Sequence, residues 1–208
     1  ENVLDPGQTN YEDYTYYTAY EIDPEDLQEE NSLGVMLGNG WYNQNVVWKG
    51  LAEYSQMVYG QPVFIAQLVI HRKDGEKEII GSDDSWRWNN GPITYSNIYG
   101  GEHYDARLEE DDWNTPDFND GEWNIPESPD VHPTRLFEQF AEPIKVMGEI
   151  EAKEIIVHDD GSYIFDFGQN MAGWMELSIE GEAGQTISVQ CTEVLDEEGN
   201  LGPRTPGV

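Results

Sequence analysis

The sequence predicts an all-β chain, a jelly-roll-like antiparallel β-sandwich followed by part of a second β-sandwich domain. Apolar and polar residues alternate at period 2 in run after run, the signature of strands with one buried face. Gly, Pro, Asn and Asp break these runs at short intervals, and no segment longer than a turn or two has helical periodicity. The 7 Trp and 12 Tyr among 208 residues fit the same picture, because aromatic side chains suit a half-buried pleat.

Taken in order, Tyr14 to Ile22 reads as a strand entering Asp23-Pro24, after which Glu25 to Glu30 makes one short helical turn. Ser32 to Leu37 is a short apolar strand closed by Gly38-Asn39-Gly40. Val63 to His71 is the cleanest strand. Lys73-Asp74-Gly75-Glu76 turns it back into Glu78 to Gly81, and Ser85 to Trp88 continues the sheet. Pro126, Pro129 and Pro133 crowd a polar stretch that cannot ladder with neighbours and reads as a linker. Beyond it, Ile144 to Met147, Ile150 to His158, Ser162 to Phe167, Gly173 to Glu180 and Thr186 to Val194 read as strands. The hairpin signals between them are Asp159-Asp160-Gly161, Glu182-Ala183-Gly184 and Glu197-Glu198-Gly199-Asn200. The expected domains are residues 1–135 and 136–208, the second cut off before completion, as in an excised piece of a longer protein.

Charge excludes several functions. With 10 Lys and Arg against 42 Asp and Glu, the formal charge is −32, a field that repels phosphate backbones and anionic lipids. Neither nucleic acid nor a membrane is an expected partner. No apolar stretch approaches the ~20 residues of a membrane-spanning helix, so a membrane-embedded chain is not expected, and cytoplasmic and secreted locations both stay open. The acids are far too many for a few calcium ions, so Glu109-Glu110-Asp111-Asp112 and Asp159-Asp160 are expected as exposed loop charge. Cys191 is the one cysteine, which rules out an intrachain disulfide, and its place in a strand-like run predicts a small buried hydrophobe.

Two segments concentrate candidate binding chemistry. In Leu37-Gly38-Asn39-Gly40-Trp41-Tyr42-Asn43, two glycines flank Asn39 and permit a sharp turn, with Asn45 and Trp48 close behind. Amides beside flat rings suit sugar hydroxyls and pyranose faces, which makes Asn39, Trp41, Tyr42, Asn43, Trp48 and Tyr99 the candidate carbohydrate-binding residues. A structural turn with Trp41 as a core plug accounts for the first segment equally well. In Ile98-Tyr99-Gly100-Gly101-Glu102-His103-Tyr104-Asp105-Ala106-Arg107, Glu102 and Asp105 are candidate calcium ligands, since that cation takes hard oxygen donors. Asp105 and Arg107 equally suit a pair with each other, or bonds to loop backbone. Asp84-Ser85-Trp86 and Asp120-Gly121-Glu122-Trp123 read as acid-led turns whose tryptophans enter the core. The four histidines have no zinc spacing, and there is neither a Gly-x-Ser-x-Gly elbow nor a phosphate-cradling glycine loop. Among 42 acids some pair falls at glycosidase separation by chance, so no catalytic residue is assigned.

Leu4-Asp5-Pro6-Gly7-Gln8-Thr9-Asn10-Tyr11, together with Leu37 to Tyr42 and Ile98 to Arg107, resembles the N-terminal domain of bacterial α-L-rhamnosidases in order and spacing. Phe165-Asp166-Phe167-Gly168-Gln169-Asn170-Met171-Ala172-Gly173-Trp174 resembles the start of the next β domain of those enzymes. The resemblance implies a piece of a multidomain inverting glycoside hydrolase that releases terminal L-rhamnose. It further implies catalytic carboxylates in an (α/α)₆ barrel that follows the β domains, so the chain alone is expected to be inactive. The implied partners are a rhamnose-containing glycan or glycoside and the barrel of the same polypeptide. In some relatives the N-terminal jelly roll is a calcium-dependent rhamnose-binding module. A purely structural β scaffold packed against the barrel, without sugar binding, is the alternative, and an enzyme in its own right the third.

Overall fold

The computed structural model of the chain describes residues 2–44, 59–98, 100–128 and 134–202. Its chain divides into two units, 4–144 and 145–208 together with 1–3. The fold is all-β: eight strands form four two-stranded ladders among the described residues, and helix is confined there to two three-residue 3-10 turns. No helix among these residues is long and apolar enough to cross a membrane.

In the unit 4–144, β1 (Tyr14–Tyr17) pairs with β6 (Arg135–Glu138). The pairing is parallel, where antiparallel ladders were expected throughout, and parallel neighbours need the long connection that separates these two. Gln139 N–H extends the ladder to Tyr17 O at 3.0 Å. Tyr16 lies in this ribbon and is the one buried hydrophobic side chain among the described residues, 6% exposed. Its ring meets Phe140 edge-on at 5.2 Å and Tyr14 at 5.6 Å. The helical turn expected over Glu25 to Glu30 forms instead as the shorter 3-10 turn Pro24–Asp26, begun by the Asp23 carboxylate accepting Glu25 N–H at 2.9 Å.

The cleanest predicted hairpin forms, with its first strand shorter than the expected Val63 to His71. β2 (Gln67–His71) and β3 (Lys77–Gly81) pair antiparallel, and Gly75 takes φ +91°, a conformation that favours glycine, within the turn. Arg72 and Glu78 form an ion pair across it. A second hairpin, β4 (Ile93–Asn97) and β5 (Gly101–Tyr104), occupies a segment not read as strand. Ser85 to Trp88 does not continue a ladder. Instead Trp88 and Asn124 exchange backbone bonds of 3.0 and 2.9 Å in an isolated antiparallel bridge.

One expectation for this unit is corrected. Trp86 and Trp123 are half-buried against Phe64 and Phe118 and do not fill a core. Glu109, Asp111 and Asp112 are exposed as expected, and the cluster also makes bonds: Glu110 accepts from Asn89 Nδ2 at 2.7 Å and from Trp123 Nε1 at 3.1 Å, while Glu109 accepts from the Tyr104 hydroxyl. A carboxylate that ties two loops together is a structural fastener.

In the other unit, Asn2 bridges Lys145 antiparallel, and β7 (Glu154–Val157) pairs with β8 (Tyr163–Asp166) around the predicted Asp159-Asp160-Gly161 turn. The segments 173–180 and 186–194 keep their alternating pattern but join no ladder among the described residues. Alternation marks a face, whereas a strand is made by the partner that takes its backbone bonds. Cys191 is exposed, against the expectation of a buried thiol.

Candidate functional site

The two singled-out segments meet in the unit 4–144. Asn39 reaches across to the β4–β5 hairpin, its Nδ2 donating to Ser96 O at 3.0 Å. Asn43 closes the turn on Asn39, with Asn43 N–H donating to Asn39 O at 3.0 Å and Asn43 Nδ2 to Asn39 Oδ1 at 3.3 Å. Gly40 between them takes φ +48°, which a side chain would strain. Next, Gln44 Oε1 accepts Ile98 N–H at 3.4 Å, and within the hairpin tip Asn97 Oδ1 accepts Gly100 N–H at 2.7 Å. Asn43, Gln44 and Asn97 are buried, at 6%, 3% and 7% exposure. Buried amides must be hydrogen-bonded, and these bonds are what join the turn to the hairpin.

Aromatic rings complete the corner. Tyr42 stacks on Tyr59 with centroids 5.6 Å apart and planes at 26°, and Tyr11 meets both edge-on, at 5.2 and 5.3 Å. Tyr59 N–H donates to Tyr42 O at 3.0 Å. Burial pushes the Tyr11 phenol above its ordinary pKa, and the neighbouring Tyr59 and Tyr42 add to the shift. Tyr11 comes from the segment Leu4 to Tyr11, so all three N-terminal motifs converge here. Neither Tyr11 nor Tyr59 was singled out as a site residue. For Tyr59, only its place before the turn residues Gly60-Gln61-Pro62 hinted at an ordered role.

The remaining candidates are placed as follows. Trp41 and Tyr42 are half-buried, and Asn39 is half-buried with its amide committed to Ser96. Trp48 and Tyr99 lie outside the described residues. Glu102 is exposed on β5, opposite Ser96, at the corner end of the hairpin. Asp105 lies past the other end, where its N–H donates to Pro92 O at 2.9 Å. Three residues apart on an extended segment, Glu102 and Asp105 turn to opposite faces about 10 Å apart along the strand. Among the described residues no three His, Cys, Asp or Glu side chains gather around a common point that could hold a metal ion.

Asp105 instead has a local partner. Arg107 grips its carboxylate with Nε to Oδ1 at 2.8 Å and Nη2 to Oδ2 at 2.5 Å. Its Oδ1 also accepts Arg107 N–H at 3.1 Å, capping the 3-10 turn Ala106–Leu108. The Arg107 hydrogen bonds hold the Asp105 carboxyl down to about 2. A lowered folded-state pKa means that the pair stabilises the fold above the ordinary value of about 4 and loses that effect as pH falls towards about 2. A carboxyl-detected NMR titration should find Asp105 protonating near the bottom of this window. Arg107→Met should move its midpoint up towards the ordinary carboxylate value.

Comparison with known proteins places the chain. The family model described as the alpha-L-rhamnosidase N-terminal domain matches residues 1–148, and that of the bacterial alpha-L-rhamnosidase concanavalin-like domain matches 156–206. An alpha-L-rhamnosidase of Formosa agariphila is 38% identical over 200 residues, covering 96% of this chain and 21% of the relative. The solved alpha-L-rhamnosidase of Dictyoglumus thermophilum superposes with a TM-score of 0.63 at 34% identity, over 81% of this chain and 18% of that one. The Streptomyces avermitilis alpha-L-rhamnosidase, solved in complex with L-rhamnose, gives 0.56 at 34% identity over 64% and 12%. The chain thus spans about a fifth of the length of the curated relatives it matches. By the domain model that fits most of its length, and by relatives matched over nearly all of it, the chain belongs to the family of α-L-rhamnosidase N-terminal domains.

Proposed function

We propose that the chain is the non-catalytic accessory region of an α-L-rhamnosidase, the glycoside hydrolase that releases terminal L-rhamnose. We further propose that it helps recognise rhamnose-containing substrate at the corner carrying Trp41 and Tyr42. The observation that supports this reading is the meeting of three separate motifs in one corner, where two half-buried rings sit beside amide and peptide groups. A ring packs on the apolar face of a pyranose while polar groups answer its hydroxyls. That a relative has been solved with L-rhamnose fixes the sugar to try first. The catalytic barrel of the same polypeptide is the proposed partner, in keeping with the share of the relatives that this chain spans.

A structural scaffold that binds no sugar is the second reading, and the corner's own hydrogen bonds favour it. Asn43 and Gln44 are buried and committed to Asn39 and to the Ile98 backbone, so both amides already serve the protein.

Isothermal titration with L-rhamnose, first with calcium and then with excess chelator, separates the readings. Binding in the ~mM range or tighter, abolished by Trp41→Ala, is the expected result for a recognition site. Loss of that binding on chelation would bring calcium into the site and require Arg107 to release Asp105. No heat under either condition would leave the scaffold.

A further inference from the structure

The dipeptide Asn-Gly occurs twice in the chain, at Asn39-Gly40 and Asn90-Gly91. It is the pair most open to attack on the asparagine side chain by the next backbone nitrogen, because glycine has no Cβ to hinder the approach. We propose that Asn90 is a site of spontaneous deamidation and that the fold shields Asn39 from the same reaction.

At Asn90 the Gly91 nitrogen attacks Cγ and gives up its proton. The new N–Cγ bond replaces the Cγ–Nδ2 bond, and the amide nitrogen leaves as ammonia with that proton. Water then adds to either carbonyl of the five-membered imide and breaks its bond to nitrogen, leaving aspartate or isoaspartate. The net change is amide plus water to acid plus ammonia, with no electron transfer.

The surroundings of the two pairs differ in the features this step needs. Asn90 and Gly91 are both exposed, and a Cβ built on Gly91 meets nothing within 4 Å. The Asn90 backbone N–H donates to Asn89 Oδ1 at 3.0 Å, a bond that leaves Cγ open. Asn39 is half-buried, and both ends of its amide are held: Nδ2, the leaving group, donates to Ser96 O at 3.0 Å, and Oδ1 accepts from Asn43 at 3.3 Å. Its carbonyl also accepts Asn43 N–H at 3.0 Å, which fixes the backbone at the attacking nitrogen. Reaction at Asn39 must wait for the turn to open, whereas Asn90 reacts from the folded chain. The protected asparagine is the one that joins the recognition corner to the hairpin. The unprotected one adds a charge to a surface that is already strongly acidic.

The test is to incubate the full chain in mildly alkaline buffer and follow both peptides by digestion and mass spectrometry, each conversion raising the mass by roughly one unit. Asn90 should convert at least about tenfold faster than Asn39, a ratio equivalent to about 1.4 kcal/mol. In urea the two rates should converge. Gly91→Ala, which the open space at that position accommodates, should suppress conversion at Asn90 and leave Asn39 unchanged. Equal rates in the folded chain, faster conversion at Asn39, or an Asn90 that survives folded while the urea-unfolded chain converts would overturn the proposal.

Discussion

Replacing Tyr16 by alanine should lower the melting temperature of the chain by about 10 °C, the largest effect expected of any single truncation in residues 4–144. Tyr16 is buried where every other large apolar side chain among the described residues is at least partly exposed, and it contacts Tyr14 and Phe140 edge-on. It also stands opposite Phe137 in the parallel β1–β6 ladder, so the loss is felt by both strands. Tyr17, next along β1 and 46% exposed, is the matched control, and Tyr17→Ala should shift the melt by only a degree or two. Tyr16→Phe keeps the ring and should melt close to the parent chain. Thermal unfolding followed by circular dichroism decides the matter, and equal melts for the two alanine variants would show that the ribbon is not anchored at Tyr16.

Asn39→Ala should cost about 2 kcal/mol, because it leaves Ser96 O and the buried Asn43 amide without their partner. Asn39→Asp is a sharper version of the same test. The carboxylate matches the amide in shape but only accepts, so it cannot donate to Ser96 O and places charge against a carbonyl. It should destabilise as much as alanine, although its volume is unchanged. Asn43→Ala removes the other end of one shared bond. The double variant should therefore fall short of additivity by on the order of 1 kcal/mol, as residues in one network do. Urea titration of the four variants measures all of this, and additive losses would show that the two amides act separately.

Hairpins were legible in the sequence wherever period and turn sat side by side. β2–β3 and β7–β8 each combine alternating apolar residues with an acid–glycine turn, and every bond they need is local. β4–β5 escaped notice because Gly100-Gly101 and the polar residues around it read as a binding loop, when they are the tip of a hairpin. β6 escaped for a different reason: its partner is β1, more than a hundred residues away, and nothing within Arg135 to Glu138 announces it. The reverse error fell on 173–180 and 186–194, where the alternation is clear but no ladder forms among the described residues, and with it went the expected burial of Cys191.

The site divides along the same line. By itself the sequence determined the all-β class, the local hairpins and the family resemblance, since each depends on residue type and short spacing. Asp105 pairing with Arg107 was also within its reach as one of the open alternatives, two residues being close enough to meet in any extended chain. Only the tertiary structure decided that Tyr11, Asn39 to Gln44, Tyr59 and the β4–β5 tip share one corner, and that Asn43 and Gln44 face inward. The physical reason is that amides and rings carry the same chemistry whether they bind a ligand or each other. Which of the two they do depends on bonds between segments some fifty residues apart, such as Asn39 to Ser96, and local pattern does not encode those bonds.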